Sequence, residues 1–177
     1  RPEAFQNRGN MKELIWVHPD CLAADNPAYL KYPNADALFV FDEEEIEAGC
    51  LQRVVNLALE GLNLGIPLLV DVQPIGPRVV LLNKAIELGV SYALEGGADG
   101  VIVPWPGTQS FKTIQAMCNG LPVWVRSGSL EPDTPELTEA LQLGAAGFWL
   151  DERIFAVDDP AAILQALKAL VHAPVVV

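Results

Sequence analysis

Histidine, cysteine and positive charge are all scarce in this chain of 177 residues, and each shortage excludes a class of function. Two histidines leave almost no material for a histidine-based catalytic triad or zinc site. The three cysteines lack CxxC spacing, which argues against a disulfide framework and a thiolate zinc site. Eleven lysines and arginines against 23 acids give a net charge of −12, which disfavours nucleic acid and anionic lipid as partners.

Long hydrophobic runs are missing as well. None approaches the roughly 20 residues that a membrane helix needs, and no signal-peptide pattern opens the chain. With 51% hydrophobic residues, we expect a soluble, cytoplasmic protein with a sizeable core and no membrane contact. Met11 looks like a natural start, so we predict a leading extension over residues 1–10 and a single α/β domain over residues 11–177.

Short apolar runs alternate with helical patterns along this domain, which predicts a mostly parallel sheet or barrel. Six runs are strand candidates: 13–18, 37–41, 67–72, 100–105, 122–126 and 147–150. Helices are predicted within 43–65, 78–97, 110–120, 134–144 and 159–172, and a further short strand at 174–177. A full (β/α)₈ barrel takes about 250 residues. The predicted fold class is therefore α/β, derived from a TIM barrel but too short for eight units, with an open Rossmann or flavodoxin-like sheet as the alternative.

The later segments resemble the class I fructose-bisphosphate aldolases of the archaeal and bacterial type and their sugar-phosphate aldolase relatives. The runs "PLLVDVQP", "GADGVIV", "LPVWVRSG" and "GAAGFWLDERIF" follow one another in that family's order and spacing, within a likeness that covers about residues 35–172. The resemblance implies the later strands of a TIM barrel, whose functional groups lie at the carboxyl ends of the strands.

The catalytic positions implied by this resemblance carry other residues. Such aldolases form a Schiff base through a lysine on the "GADxVK" strand, because an amine in an apolar site can lose its proton and attack a carbonyl. That position is Ile102, which we expect to face the interior among apolar neighbours. Gln73 and Ile75 stand where the family motif has a tyrosine for proton transfer and an arginine near phosphate.

The phosphate-binding positions implied by the resemblance are changed in the same way. Ser127 and Gly128 match a glycine pair, and the stretch "DER" at 151–153 matches "GRN". Arg126 and Arg153 are the remaining candidates for binding an anion. The alternative for both arginines is a salt bridge to one of the two acids in "DER".

Asp71 and Gln73 are two residues apart on one predicted strand, so both should point to the same face. They are candidates for catalysis or for binding a hydroxylated ligand, and a simple hydrogen-bonded pair is the alternative. Asp71 with the acids of "DER" is a conceivable Mg²⁺ set, but no ligand spacing supports it, and neither a metal nor a cofactor is predicted. Trp105 is a further candidate for ligand contact, with packing as its alternative.

The opening of the domain shows a second resemblance. "LIWVHPDCLAADNPAY" followed by "ALFVFD" is similar to the start of the photolyase and cryptochrome amino-terminal α/β domain. This likeness covers about residues 14–42, which divides the domain into a photolyase-like part, 11–42, and an aldolase-like part, 43–177.

These patterns predict a non-catalytic aldolase-like protein that acts as a scaffold or binds a small sugar-like or phosphorylated ligand. An active lyase that uses Asp71, with or without a metal, is one alternative, and an engineered chimera without biological function is another. Six strand-helix units leave a sheet edge uncovered, which predicts a homodimer through the edge strand or the carboxyl terminus.

Overall fold

The computed structural model describes residues 44–65, 67–73, 79–127, 131, 134–150 and 152–172. Within them the elements are, in order, α1 (Glu44–Leu64), β1 (Leu69–Asp71), α2 (Leu82–Glu95), β2 (Gly100–Pro104), α3 (Thr108–Cys118), β3 (Val123–Arg126), α4 (Pro135–Gln142), β4 (Gly147–Trp149), a 3₁₀ helix (Glu152–Ala156) and α5 (Pro160–His172). The predicted alternation is confirmed for this part of the chain. The strand candidates at 13–18, 37–41 and 174–177 lie outside the described residues. No described helix is both long and apolar enough to cross a membrane.

The four described strands form one parallel sheet in chain order, β1-β2-β3-β4. Helices α1 to α4 pack against one face of this sheet, because each contributes a side chain to a single apolar core: Val54, Ile86, Phe111 and Ala140. A doubly wound sheet would carry helices on both faces and reverse its strand order. Sequential parallel strands with helices on one side form the wall of a TIM-like barrel. The predicted fold class is therefore confirmed, and the Rossmann or flavodoxin-like alternative does not apply.

Side chains alternate between the two faces along each strand. The helix-covered face carries a buried set of valines: Val70, Val72, Val101, Val103, Val123 and Val125. The opposite face, which we call the inner face, carries the intervening positions: Leu69, Asp71, Gln73, Gly100, Ile102, Pro104, Trp124, Arg126, Gly147 and Trp149. Chemically diverse residues therefore collect on the inner face.

Asp99 fixes how β1 and β2 pair. Its carboxylate Oδ2 accepts a hydrogen bond from the Leu68 N–H at 2.9 Å, and its own N–H donates to the Leu68 carbonyl at 2.8 Å. Asp99 is fully buried, where an unpaired carboxylate would be costly. This pairing sets the register in which Asp71 lies beside Ile102.

Trp124 crosses the inner face between two glycines. A Cβ atom added to Gly100 on β2 would lie 2.9 Å from Trp124 Cζ3, and one added to Gly147 on β4 would lie 3.4 Å from Trp124 Cδ1. The first separation is closer than side chains tolerate, so the glycine on β2 is needed for close packing rather than for backbone freedom. The indole thus fills the space above both neighbouring strands.

Helix ends follow local signals in most cases. Asn119 adopts a left-handed backbone with φ 46° at the end of α3. At the start of α5, Asp159 Oδ1 accepts a hydrogen bond from the Ala162 N–H at 3.0 Å, as an N-cap side chain does. The helix predicted over 78–97 instead begins at Leu82. Leu81 is extended, with φ −120° and ψ 104°, and provides no side-chain cap, so the helix does not continue toward the amino terminus.

We predict that Gly100→Ala destabilises the protein by about 1–3 kcal/mol, because the new methyl group overpacks against Trp124 and Pro122. Urea unfolding followed by circular dichroism measures this loss. In a Trp124→Leu background the loss should be smaller, since one of the two contacts is removed. Equal losses in both backgrounds would show that the indole contact is not the cause.

Candidate ligand site at the carboxyl ends of the strands

Asp71 is the centre of a polar cluster at the end of β1. Its Oδ2 atom accepts an ion-paired hydrogen bond from Arg126 Nη2 and a second bond, 2.6 Å long, from Gln73 Nε2. The Asp71 side chain is 8% exposed and that of Arg126 is 22% exposed, so the pair is largely shielded from water. The prediction that Asp71 and Gln73 share a face is confirmed, and the two are hydrogen-bonded.

The strand register explains why Arg126 reaches Asp71. Asp71 pairs with Ile102, which pairs with Trp124, so these three residues form one row on the inner face. Arg126 lies two residues after Trp124 on β3 and therefore points to the same face. Its side chain spans β2 to meet the carboxylate on β1.

The described partner of Arg126 is Asp71, which the sequence analysis did not name as a salt-bridge partner. The two carry opposite charges on the same face and are largely shielded from water, which strengthens their attraction. The salt bridge expected to an acid of the stretch 151–153 involves side chains outside the described part of the chain. Asp151 lies outside the described residues, and only the backbone of Glu152 is described.

Burial dominates the electrostatics of Asp71. Desolvation raises the pKa of its carboxyl, and the charge of Arg126 and the hydrogen bonds from Gln73 and Arg126 lower that pKa only in part. Among the described residues, Asp71 Oδ1 and Arg126 Nε are buried without a hydrogen-bond partner. The ion pair therefore has one acceptor atom and one donor atom that make no hydrogen bond within the described part of the chain.

Ile102 occupies the middle of the inner face. Its side chain is 2% exposed, so the predicted burial is confirmed. The expectation of apolar neighbours holds on one side only, because its register partners are Trp124 on β3 and Asp71 on β1. A carboxylate next to this position is a feature that the sequence alone did not indicate.

Other nucleophiles lie away from the inner face. The described lysines are on helices and exposed: Lys84 on α2, Lys112 on α3 and Lys168 on α5. Cys118 is buried on α3, and burial raises the pKa of its thiol to about 11, which keeps it protonated at neutral pH. No described lysine or cysteine therefore projects from an inner-face strand position.

The remaining predicted site residues are only partly brought together. Trp105 follows β2 and packs against the helix-side core, with its ring 5.3 Å from that of Phe111, so it stands outside the Asp71 cluster. Ser127 is buried directly after Arg126, and its carbonyl accepts a hydrogen bond from Arg153 Nη2 at 3.2 Å. Gly128 lies outside the described residues. Ser127 and Arg153 thus border the cluster at the end of β3.

No group of three histidine, cysteine or carboxylate side chains that could hold a metal ion occurs within the described ranges. The conceivable Mg²⁺ set of Asp71 with the acids at 151 and 152 extends outside them.

Two tryptophans on the inner face were not recognised as site residues in the sequence. Trp124 shares the row of Ile102, and Trp149 pairs with Arg126. Both are half-buried. The alternation in "WVR" at 124–126 would have placed Trp124 on the same face as Arg126, but the register of β4 was needed to add Trp149.

Comparisons with known proteins agree with this architecture, although no protein-family model matches the sequence. The chain is 28% identical over 141 residues to the 3-hydroxy-5-phosphonooxypentane-2,4-dione thiolases of Salmonella typhimurium and Escherichia coli K12, covering 78% of this chain and 47% of those proteins. The same identity relates it to the thiolase of Shigella flexneri, of which 54% is covered. The chain therefore spans about half the length of the curated relatives it matches.

Solved structures show the same fold. An archaeal fructose 1,6-bisphosphate aldolase superposes with a TM-score of 0.66 at 18% identity, over 82% of this chain and 61% of that one. An archaeal fructose-1,6-bisphosphate aldolase with its catalytic lysine covalently bound to the carbinolamine intermediate of the substrate gives 0.67 at 17% identity, over 84% and 62%. The relatives and structural neighbours are thus aldolase-like, at low identity. The likeness to photolyases over 14–42 is not supported, and those residues lie outside the described ranges.

We predict that replacing the buried ion pair by apolar residues is tolerated better than breaking it. Asp71→Leu and Arg126→Met should each cost about 3 kcal/mol of unfolding free energy, because each leaves a buried charge unpaired, whereas the double variant should be close to the parent. Urea unfolding of the four proteins measures the coupling. The Lys84–Glu87 pair is the control because its lysine side chain is 65% exposed, and its cycle should give under about 1 kcal/mol. Additive losses at Asp71 and Arg126 would contradict the prediction.

Because the pKa of Asp71 is raised in the folded protein, the stability of the protein should depend on pH. The folded protein binds the Asp71 proton more tightly than the unfolded chain does, because burial raises this pKa above its ordinary 3.8. The stability that the proton on Asp71 adds to the folded state is therefore fully present below pH 3.8, and it is lost as the pH rises through the pKa of the folded protein. As the pH is lowered from 7, the unfolding free energy of the parent should therefore increase relative to that of Asp71→Asn.

Proposed function

We propose that this chain is a non-catalytic, aldolase-like α/β protein that binds a small sugar-like or phosphorylated ligand at the carboxyl ends of its strands. The observation that carries the proposal is Ile102, which is buried on the inner face at the sequence position of the family's Schiff-base lysine. A hydrocarbon side chain there provides no amine to attack a carbonyl.

The polar residues of the inner face support binding rather than Schiff-base chemistry. Asp71, Gln73 and Arg126 form a preformed cluster of donors and acceptors at the strand ends, where barrel proteins bind their ligands. Half-buried Trp124 and Trp149 add flat apolar surface beside it. A few convergent polar groups among aromatic side chains are typical of small-molecule sites.

A second candidate, a lyase that uses Asp71 for proton transfer, is favoured by one observation. Burial raises the pKa of Asp71, and a carboxyl with a raised pKa exchanges protons more effectively near neutral pH. The similarity to the thiolases of enteric bacteria is consistent with this lyase candidate. Turnover of sugar phosphates, with or without Mg²⁺, that is abolished by Asp71→Asn would favour this candidate over binding alone.

We predict that borohydride traps no adduct between this protein and keto-sugar phosphates, because no described lysine projects from an inner-face strand position. Mass spectrometry of the intact chain measures the adduct. Ile102→Lys is the comparison variant, because it places an amine beside Asp71 at the position that the aldolase resemblance gives to the Schiff-base lysine. Asp71 favours the charged form of that amine, so we expect little adduct on this variant as well. A borohydride-stable adduct on the parent chain would overturn the non-catalytic proposal.

We further propose a cytoplasmic homodimer. In the described sheet, β1 and β4 each pair with one strand only, and exposed strand edges are usually covered. Light scattering over a dilution series should give twice the mass of one chain. A monomer at every concentration would contradict the dimer, and would mean that the chain covers its own sheet edges.

A further inference from the structure

The positive charge on the inner face is already compensated. Arg126 is the cationic residue at a described strand position on this face, and its Nη2 atom is committed to Asp71 Oδ2. The only other described cation at these strand ends is Arg153, whose Nη2 donates to the Ser127 carbonyl. A ligand that reaches Gln73 and Arg126 therefore meets a neutral ion pair rather than a free guanidinium.

This arrangement is unfavourable for a phosphate ester. Phosphate carries up to two negative charges at neutral pH and would lie beside a carboxylate whose side chain is 8% exposed. Repulsion between like charges is poorly screened where water is excluded. Phosphate oxygens would also have to compete with Asp71 for the guanidinium, leaving a buried carboxylate without its partner.

The hydrogen-bonding capacity of a hydroxyl group matches the two unpartnered atoms of this ion pair. Asp71 Oδ1 is a buried acceptor and Arg126 Nε a buried donor, and neither has a partner in the described part of the chain. A hydroxyl donates one hydrogen bond and accepts others, so it complements both atoms, whereas an ionised phosphate complements the donor alone. Trp124 and Trp149, half-buried on the same face, offer rings against which the C–H face of a sugar can pack.

We propose that this site takes an uncharged hydroxylated molecule, a polyol or a sugar without phosphate, in preference to the corresponding phosphate ester, and that Asp71 sets this preference. The inference rests on the proposed function, because it names the ligand class of the same site. Asp71 acts in two ways: its Oδ1 atom accepts the hydrogen bond of the hydroxyl, and its charge neutralises and orients Arg126. Removing its charge while keeping its shape should free the guanidinium and turn the site into one that attracts anions.

The test compares ribose, ribose phosphate and inorganic phosphate as probes of the full chain, by ligand-observed NMR and tryptophan fluorescence. The parent should bind ribose about tenfold more tightly than ribose phosphate, which corresponds to about 1.4 kcal/mol. Asp71→Asn should reverse that order and gain affinity for inorganic phosphate. Asp71→Glu, which keeps the charge, should retain the preference of the parent.

Two further variants show which arginine is responsible for the phosphate affinity that Asp71→Asn gains. Adding Arg126→Gln to Asp71→Asn should abolish the phosphate gain, whereas adding Arg153→Gln should leave it in place. Circular dichroism confirms that each variant is folded, and the comparison on the parent needs no variant. An Asp71→Asn protein that keeps the parent's order of affinities would overturn the role of Asp71.

Failure of this inference is distinguishable from failure of the proposed function. A parent that binds ribose phosphate as tightly as ribose, or more tightly, would overturn the preference for uncharged ligands while supporting a ligand site. A parent that binds none of the three probes would overturn both the preference and the proposed binding of sugar-like or phosphorylated ligands.

Discussion

The common register of four parallel strands is the constraint on which the rest of the structure depends. Paired residues of neighbouring strands point to the same face, so Asp71, Ile102 and Trp124 lie in one row while the valines between them enter the helix-covered core. A shift of one residue would exchange the two faces and bury polar groups against α2 and α3. Asp99 resists such a shift because it bonds to both the N–H and the carbonyl of Leu68.

Two features of the inner face are chemically consistent with each other: the apolar Ile102 and the ion pair between Asp71 and Arg126. An amine forms a Schiff base only when it loses its proton, which a nearby carboxylate disfavours. Asp71 lies beside the position of Ile102, so a lysine there would be held in its charged form or compete with Arg126 for the carboxylate. The apolar residue at 102 and the ion pair beside it are therefore chemically compatible with each other.

The fold persists at 17–18% identity to aldolase structures because its core and its inner face use different positions. The helix-covered valines need only apolar volume, which many sequences supply. The inner-face residues can change without disturbing that core, provided that each buried polar group finds a partner. Likeness of fold therefore carries little information about the reaction, and function has to be argued from the strand ends.

The sequence by itself determined the alternation of strands and helices and the shared face of Asp71 and Gln73, because each follows from a local period of two or 3.6 residues. The burial of Ile102 was expected from the position that the aldolase resemblance gives it. Only the tertiary structure decided that Arg126 pairs with Asp71, 55 residues away, and that Trp124 spans Gly100 and Gly147. Such contacts depend on which strands are neighbours and in what register. Those relations are set by packing between distant segments, and no local pattern specifies them.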